Sequence, residues 1–340
     1  MTDRLLLALE ARETDRVPFV PAVYEHKAWF IGRTPSDVCR DEELLVEAAV
    51  AEYEAMRPDA IVVGLDVYNV EAEAVGCGIT FAEGPDTSIP ALTPGREVLT
   101  EGQPPGGLAV PDPRHAGRMP MMISATERVR KQIGSFVPVM GAVSGPFSLA
   151  AALMGPANLF MAMASEPEEA RSVIEMSARI VIRYAAAFAA RGIMTAVFDS
   201  QASPSLISPR AYRDFVLGPT QSVIAALKSG GMSHVPLVVG GNTDPIVDAY
   251  LETGGNYILC DGPSSMERFL PACRAARRSF RRNIPSDFLA SASLQEIGER
   301  ARREKAAAEG YPGFIMGTGV VPYGIATERI VAVRDALASP

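Results

Sequence analysis

Short apolar runs recur along this chain at residues 17–23, 60–65, 137–143, 195–198, 235–239, 257–260, 279–284 and 314–316. Most are continuous rather than alternating. That is the pattern of strands covered on both faces, since a half-exposed strand alternates apolar and polar residues. Helical patterns lie between nearly all of them. Strand then helix, repeated eight times, predicts an α/β fold: a parallel (β/α)8 TIM barrel. The 340 residues suit one such domain over 1–340. The rhythm breaks only at 77–120, which holds eight of the chain's 27 prolines and no long helical pattern. This predicts a loop-rich insertion after the second strand, built of loops and short hairpins.

Several helix starts are marked. Ser208-Pro209 and Asp244-Pro245 each put a capping side chain before a proline that is harmless at the first helical position. Ser293 with Glu296 forms a capping box, and Thr327 precedes an inner face of Ile330, Val331, Val333 and Leu337. A long helix is expected over 168–191. Residues 136–165 carry no charge, but Gly145-Pro146 and Gly155-Pro156 interrupt them, so a buried strand, a loop and a core helix are expected rather than a membrane span.

Charge excludes some functions. Lys and Arg total 32 against 40 Asp and Glu, a net charge of -8. Nucleic acid and anionic membrane surfaces are therefore not expected partners. Cys39, Cys77, Cys260 and Cys273 form no CxxC pair, so neither a disulfide framework nor a zinc ribbon is expected, and a reducing cytoplasm is the expected compartment. Residues 1–10 form a short amphipathic stretch without the features of a signal peptide.

Barrels of this kind carry their chemistry at the C-terminal ends of strands. The candidates there are Tyr24, Glu25, His26 and Lys27, then Asp66, Tyr68, Asn69, Glu71 and Glu73, then Ser144. They continue with Asp199 and Ser200, Gly240, Gly241, Asn242 and Asp244, Asp261, and finally Thr318 and Tyr323. Asp66 directly follows an apolar run, where a carboxylate serves as general acid/base, as a charge facing a cationic intermediate, or as a helix cap. Ser200 either orients a substrate oxygen or satisfies loop backbone. The Gly240-Gly241-Asn242 turn lets backbone approach a ligand closely. His26 is the one histidine at an expected strand end, while Cys260 reads as a small buried hydrophobe. No Ser/His/Asp motif, P-loop or post-strand GxGxxG is present.

Taken in order, several segments resemble the uroporphyrinogen decarboxylase superfamily, which includes the methylcobamide:coenzyme M methyltransferases. They are Arg16-Val17-Pro18, Asp66 with residues 70–76, residues 144–150, Phe198-Asp199-Ser200, Ile207-Ser208-Pro209, Gly241-Asn242-Thr243, and Gly313-Phe314-Ile315 running into Gly319. The resemblance implies a (β/α)8 barrel over nearly the whole chain. It also implies residues that this sequence has replaced. The arginines with which decarboxylases clamp substrate carboxylates fall on Val23 and Lys27, their active-site Tyr on Ala152 and their C-terminal His on Thr318. Their catalytic Asp and a Ser are matched by Asp66 and Ser200. The zinc ligands of the methyltransferase branch fall on Val238, Gly240 and Val320, so no metal is expected.

The expectation is a zinc-independent methyltransferase in corrinoid- or folate-linked one-carbon transfer. Asp66 would be catalytic, and His26, Lys27, Tyr68, Asn69, Glu71, Ser200, Asn242, Asp261 and Thr318 would bind substrate. No tightly bound cofactor is expected; a corrinoid or tetrahydrofolate would carry the methyl group. Expected partners are a small-molecule substrate, a corrinoid protein and a second copy of the chain as a homodimer. The alternatives are a decarboxylase-like lyase, with Lys27 holding a carboxylate, and a non-catalytic binding relative.

Overall fold

The computed structural model describes residues 4–99 and 105–338. Its strands are β1 (Ile61–Val63), β2 (Ile79–Thr80), β3 (Ala91–Leu92), β4 (Val139–Ser144), β5 (Met194–Phe198), β6 (Leu237–Val238), β7 (Tyr257–Cys260), β8 (Ser279–Ile284) and β9 (Phe314–Thr318). Seven of the eight expected runs are strands of two parallel sheets, ordered β1-β4-β5-β6 and β7-β8-β9. The first run, 17–23, pairs by parallel bridges Phe19↔Met316 and Ala22↔Val320. Two backbone bonds span the remaining seams. Asp59 donates to the Phe19 carbonyl, and Asn256 donates to that of Val235. The eight segments thus follow one another in chain order, as a (β/α)8 barrel requires.

Side chains alternate along each strand, so one set points into the barrel and the other toward the helices. Val20, Ala60, Met140, Ala142, Ala196, Phe198, Val238, Tyr257, Leu259 and Ile315 form the inner cluster. The N-terminal amphipathic stretch closes its N-terminal end. Helix Arg4–Leu9 buries Leu5, Ala8 and Leu9 in the same cluster, and Ser279 donates to the Ala8 carbonyl.

The insertion at 77–120 contains the expected hairpin, β2 against β3, and a short 3-10 turn, Pro105–Gly107. Its residues 100–104 lie outside the described residues. The uncharged stretch becomes β4 and two helices, Pro146–Met154 and Pro156–Ser165, bent by 103° at Gly155, whose φ is +84°. The first of these helices is wholly buried. Among the described residues no single helix is long and apolar enough to cross a membrane; this bent pair reaches the length only together. The four cysteines are buried and unpaired.

The caps at Ser208 and Ser293 form as expected, with Ser293 and Glu296 completing a capping box. Asp244 does not cap. The 3-10 turn Asp244–Ile246 starts after Thr243, and the Asp244 carboxylate accepts from the Ser265 N–H at 2.9 and 3.1 Å. It joins two loops at the barrel mouth instead of starting a helix.

Gly317 on β9 shows how closely the interior is filled. A Cβ there would lie 2.4 Å from the Val20 carbonyl oxygen and 2.9 Å from both Arg281 Cδ and Asn283 Oδ1. The backbone neighbour cannot turn aside. Gly317→Ala should therefore cost about 1–3 kcal/mol through overpacking, read as a lower urea midpoint. An unchanged midpoint would show that the interior has slack at this layer.

Candidate active site

At the C-terminal ends of the strands lies a cavity of about 460 Å³. Strand ends form its floor and walls, and the hairpin insertion covers one side with Ile89, Pro90, Ala91 and Leu92. Asn69 fastens that cover by donating from Nδ2 to the Pro90 carbonyl at 2.6 Å.

Five of the ten expected site residues line the cavity: Asp66, Tyr68, Asn69, Ser200 and Asp261. Asp66 is buried, and both of its oxygens are engaged. Arg118 donates to Oδ2 at 2.7 Å and the Cys39 thiol to Oδ1 at 3.4 Å. The same guanidinium also binds Glu73 at 2.5 Å and the Cys39 carbonyl at 3.2 Å. Tyr68 donates to Ser200 Oγ at 2.6 Å, and burial pushes its phenol up to about 12, so it stays protonated. The Ser200 proton is then available to a ligand. Asp261 accepts from the Gly241 N–H and from Asn283 Nδ2, each at 2.9 Å.

The other five are not part of the cavity lining, and each has a local reason. Lys27 lies on the short helix His26–Trp29 and is buried against Glu52 of helix Glu42–Met56 in an ion pair. It is spent on joining two helices. His26, beside it, faces the Pro322 carbonyl at 3.0 Å from Nδ1, and burial holds its pKa down at about 4, leaving it neutral. Glu71 accepts from the Ser144 N–H at 2.6 Å and from its hydroxyl at 3.2 Å, behind the wall. Asn242 is exposed and accepts from the Asp244 N–H at 3.1 Å, so it shapes the turn. Thr318 accepts from the Ala22 N–H at 3.2 Å and stitches the first segment to β9.

Sequence reasoning missed Arg118, Arg281 and Asn283. Arg118 ends the insertion, and nothing local marks it. Arg281 and Arg282 did leave a signal, being adjacent charges inside an otherwise buried strand. Arg282 points outward to Glu304 at 3.1 and 3.2 Å, whereas Arg281 points inward and lines the cavity with Asn283. Asp199 is also buried. One of its oxygens accepts from the Ser148 N–H at 2.7 Å, the other has no partner among the described residues, and burial raises its pKa to about 6.

The three positions where the resemblance would place zinc ligands, Val238, Gly240 and Val320, all line the cavity. None carries a donor atom. Among the described residues no group of three or more His, Cys, Asp or Glu is placed to hold a metal ion. The donor set therefore does not fit zinc. A Cβ on Gly240 would lie 3.6 Å from both Asp261 Oδ2 and Ser200 Oγ, so the space beside it is bordered by a carboxylate and a hydroxyl.

Parallel strands in barrel order, with polar groups converging on one cavity at their C-terminal ends, define a (β/α)8-barrel enzyme. The chain belongs to the uroporphyrinogen decarboxylase (URO-D) family, whose model matches residues 1–339. It is 28% identical over 239 residues to the methylcobamide:CoM methyltransferase MtaA of Methanosarcina barkeri, covering 68% of each chain. It is 26% identical over 242 residues to the uroporphyrinogen decarboxylase of Psychromonas ingrahamii, covering 66% of this chain and 65% of that one. A solved methyltransferase from Methanosarcina mazei shares the fold, with a TM-score of 0.87 at 23% identity over 99% of this chain and 98% of that one.

Two outcomes follow from the buried charges. Asp66→Asn leaves the Arg118 guanidinium without its closest buried carboxylate and should cost about 3–5 kcal/mol in urea unfolding. Adding Arg118→Met should recover part of that loss; strictly additive losses would show that the two are not coupled. Burial raises the Glu71 carboxyl from its ordinary 4.5 to about 7. The protonated form is thus favoured in the folded state, and its contribution is full below about pH 4.5 and lost as pH rises to about 7. Asp199 acts in the same direction. Glu71→Gln should flatten the fall in stability across this window, and an unaltered slope would contradict it.

Proposed function

We propose that this enzyme transfers a methyl group between a small substrate held in the cavity and a carrier presented at the mouth, without zinc. The observation that carries this reading is the wall formed by Val238, Gly240 and Val320, with Ser200 and Asp261 bordering the space beside Gly240. The curated methyltransferase relative supports methyl transfer as the reaction class. The cavity's volume suits one small ligand. A corrinoid carrier would approach from outside on its own protein; tetrahydrofolate is the other candidate. A reduced corrinoid, when bound, supplies a strong nucleophile for the methyl group.

The chain's own residues position and polarise. When a methyl group departs from a substrate oxygen or nitrogen, the bonding pair stays on that atom. A hydrogen bond from Ser200, itself held by Tyr68, stabilises the charge that develops there. Asp261 accepts a hydrogen bond from the same end of the substrate. Asp66 acts as part of a fixed ion pair, with Arg118 on one of its oxygens and the Cys39 thiol on the other. The clamp positions of the decarboxylases speak against uroporphyrinogen as substrate. Val23 carries no charge, and Lys27 is buried with Glu52. The buried, unpaired cysteines support a reducing, cytoplasmic setting.

The test is methyl transfer to cob(I)alamin from methanol, methylamine and a simple methyl ether, before and after dialysis against a chelator. Transfer that survives chelation is expected, with Ser200→Ala slowing it about 10²-fold. Activity that collapses on chelation and returns with zinc would overturn the reading, as would efficient turnover of uroporphyrinogen.

A further inference from the structure

We infer that Arg281 is the recognition point for a carboxylate on the ligand of this cavity. Alternation along β8 turns residues 279, 281 and 283 into the barrel. Ser279 meets the plug helix at Ala8, and Asn283 reaches Asp261. Arg281 sits between them, only 4% exposed, with the Tyr257 ring centroid 5.9 Å from its Cζ. Among the described residues its guanidinium makes no hydrogen bond or ion pair, and its Nε is buried without a partner. Asn283 Oδ1, on the same face, is also buried and unpartnered.

A buried guanidinium without a counter-charge is costly, and the chain solves this one residue later by pairing Arg282 with Glu304. No such carboxylate is supplied to Arg281, yet the residue lines the cavity. The missing anion therefore comes with the ligand. A guanidinium presents two parallel N–H donors that match a planar carboxylate. Asp261 is held by Gly241 and Asn283, and its charge repels an anion from its own side, which directs the ligand's carboxylate toward Arg281. The unpartnered Asn283 oxygen offers an acceptor to the rest of the ligand. The proposal rests on the cavity being the substrate site, and not on which group is transferred there.

The experiment titrates benzoate, benzamide, methanesulfonate and inorganic phosphate into the whole chain by calorimetry, for wild type, Arg281→Met and Arg281→Lys. Benzoate should bind saturably and at least about 10-fold tighter than benzamide. Arg281→Met should abolish that preference, and Arg281→Lys should keep part of it. Without anion, Arg281→Met should melt no lower than wild type, because it removes an unpaired buried charge. Benzoate should raise the melting temperature of wild type alone. Absent benzoate binding, equal binding of benzoate and benzamide, or undiminished binding by Arg281→Met would overturn the proposal. A marked fall in the melting temperature of Arg281→Met would show a structural role and overturn it too. Tighter binding of methanesulfonate or phosphate than of benzoate would overturn the assignment to carboxylates. These readouts need no methyl carrier, so failure of methyl transfer would leave them standing, and their failure would leave methyl transfer untouched.

Discussion

Below the cavity at its mouth the barrel interior is narrow, and a side chain that enters it there must be packed or partnered. This follows from making a closed surface out of parallel strands, whose other face is already covered by helices. Apolar residues meet the demand in the lower layers, where helix Arg4–Leu9 completes the filling. Near the mouth the same inward positions carry Asp261, Arg281 and Asn283, and packing gives way to the cavity. Core and site are therefore successive layers of one set of alternating positions. Gly317 marks the change of layer, since only the absence of a side chain leaves room for Arg281 and Asn283.

Buried charge is handled consistently. Lys27 meets Glu52, Arg282 meets Glu304, and Arg118 meets both Asp66 and Glu73. These pairs join elements distant in sequence: a short helix to a long one, a strand to its covering helix, and the insertion to the end of β1. They trade desolvation against Coulomb attraction and add definition more than net stability. Arg281 departs from this pattern, and it does so inside the cavity. The positions where the resemblance places a carboxylate clamp carry Val23 and Lys27, and those where it places zinc ligands carry Val238, Gly240 and Val320. Gly240 and Ala152 both line the cavity.

The loop-rich insertion also has a physical role. The insertion is dense in proline and glycine; among its described residues up to 118 no long helix forms, and the short hairpin lies across the mouth. Asn69 holds the hairpin to the barrel rim through Pro90, and Arg118, near the end of the insertion, binds Asp66. The cover of the cavity and the Asp66 environment thus depend on the same segment.

Strand order, barrel class, the insertion and two capping motifs were legible in the sequence, because periodicity and turn chemistry are local properties. Five of the ten residues expected at the site line the cavity where the strands end. The rest depended on direction and partner. Lys27, His26 and Glu71 stand near strand ends as expected, but the rotation of a helix turns each toward a buried neighbour: Glu52, the Pro322 carbonyl and Ser144. Arg118 reaches Asp66 across 52 residues, and no local pattern encodes that. The sequence alone determined which residues could be charged or small at each layer of the barrel. Only the tertiary structure decided which charges neutralise one another and that Arg281 faces the cavity, because pairing is set by three-dimensional proximity and not by separation along the chain.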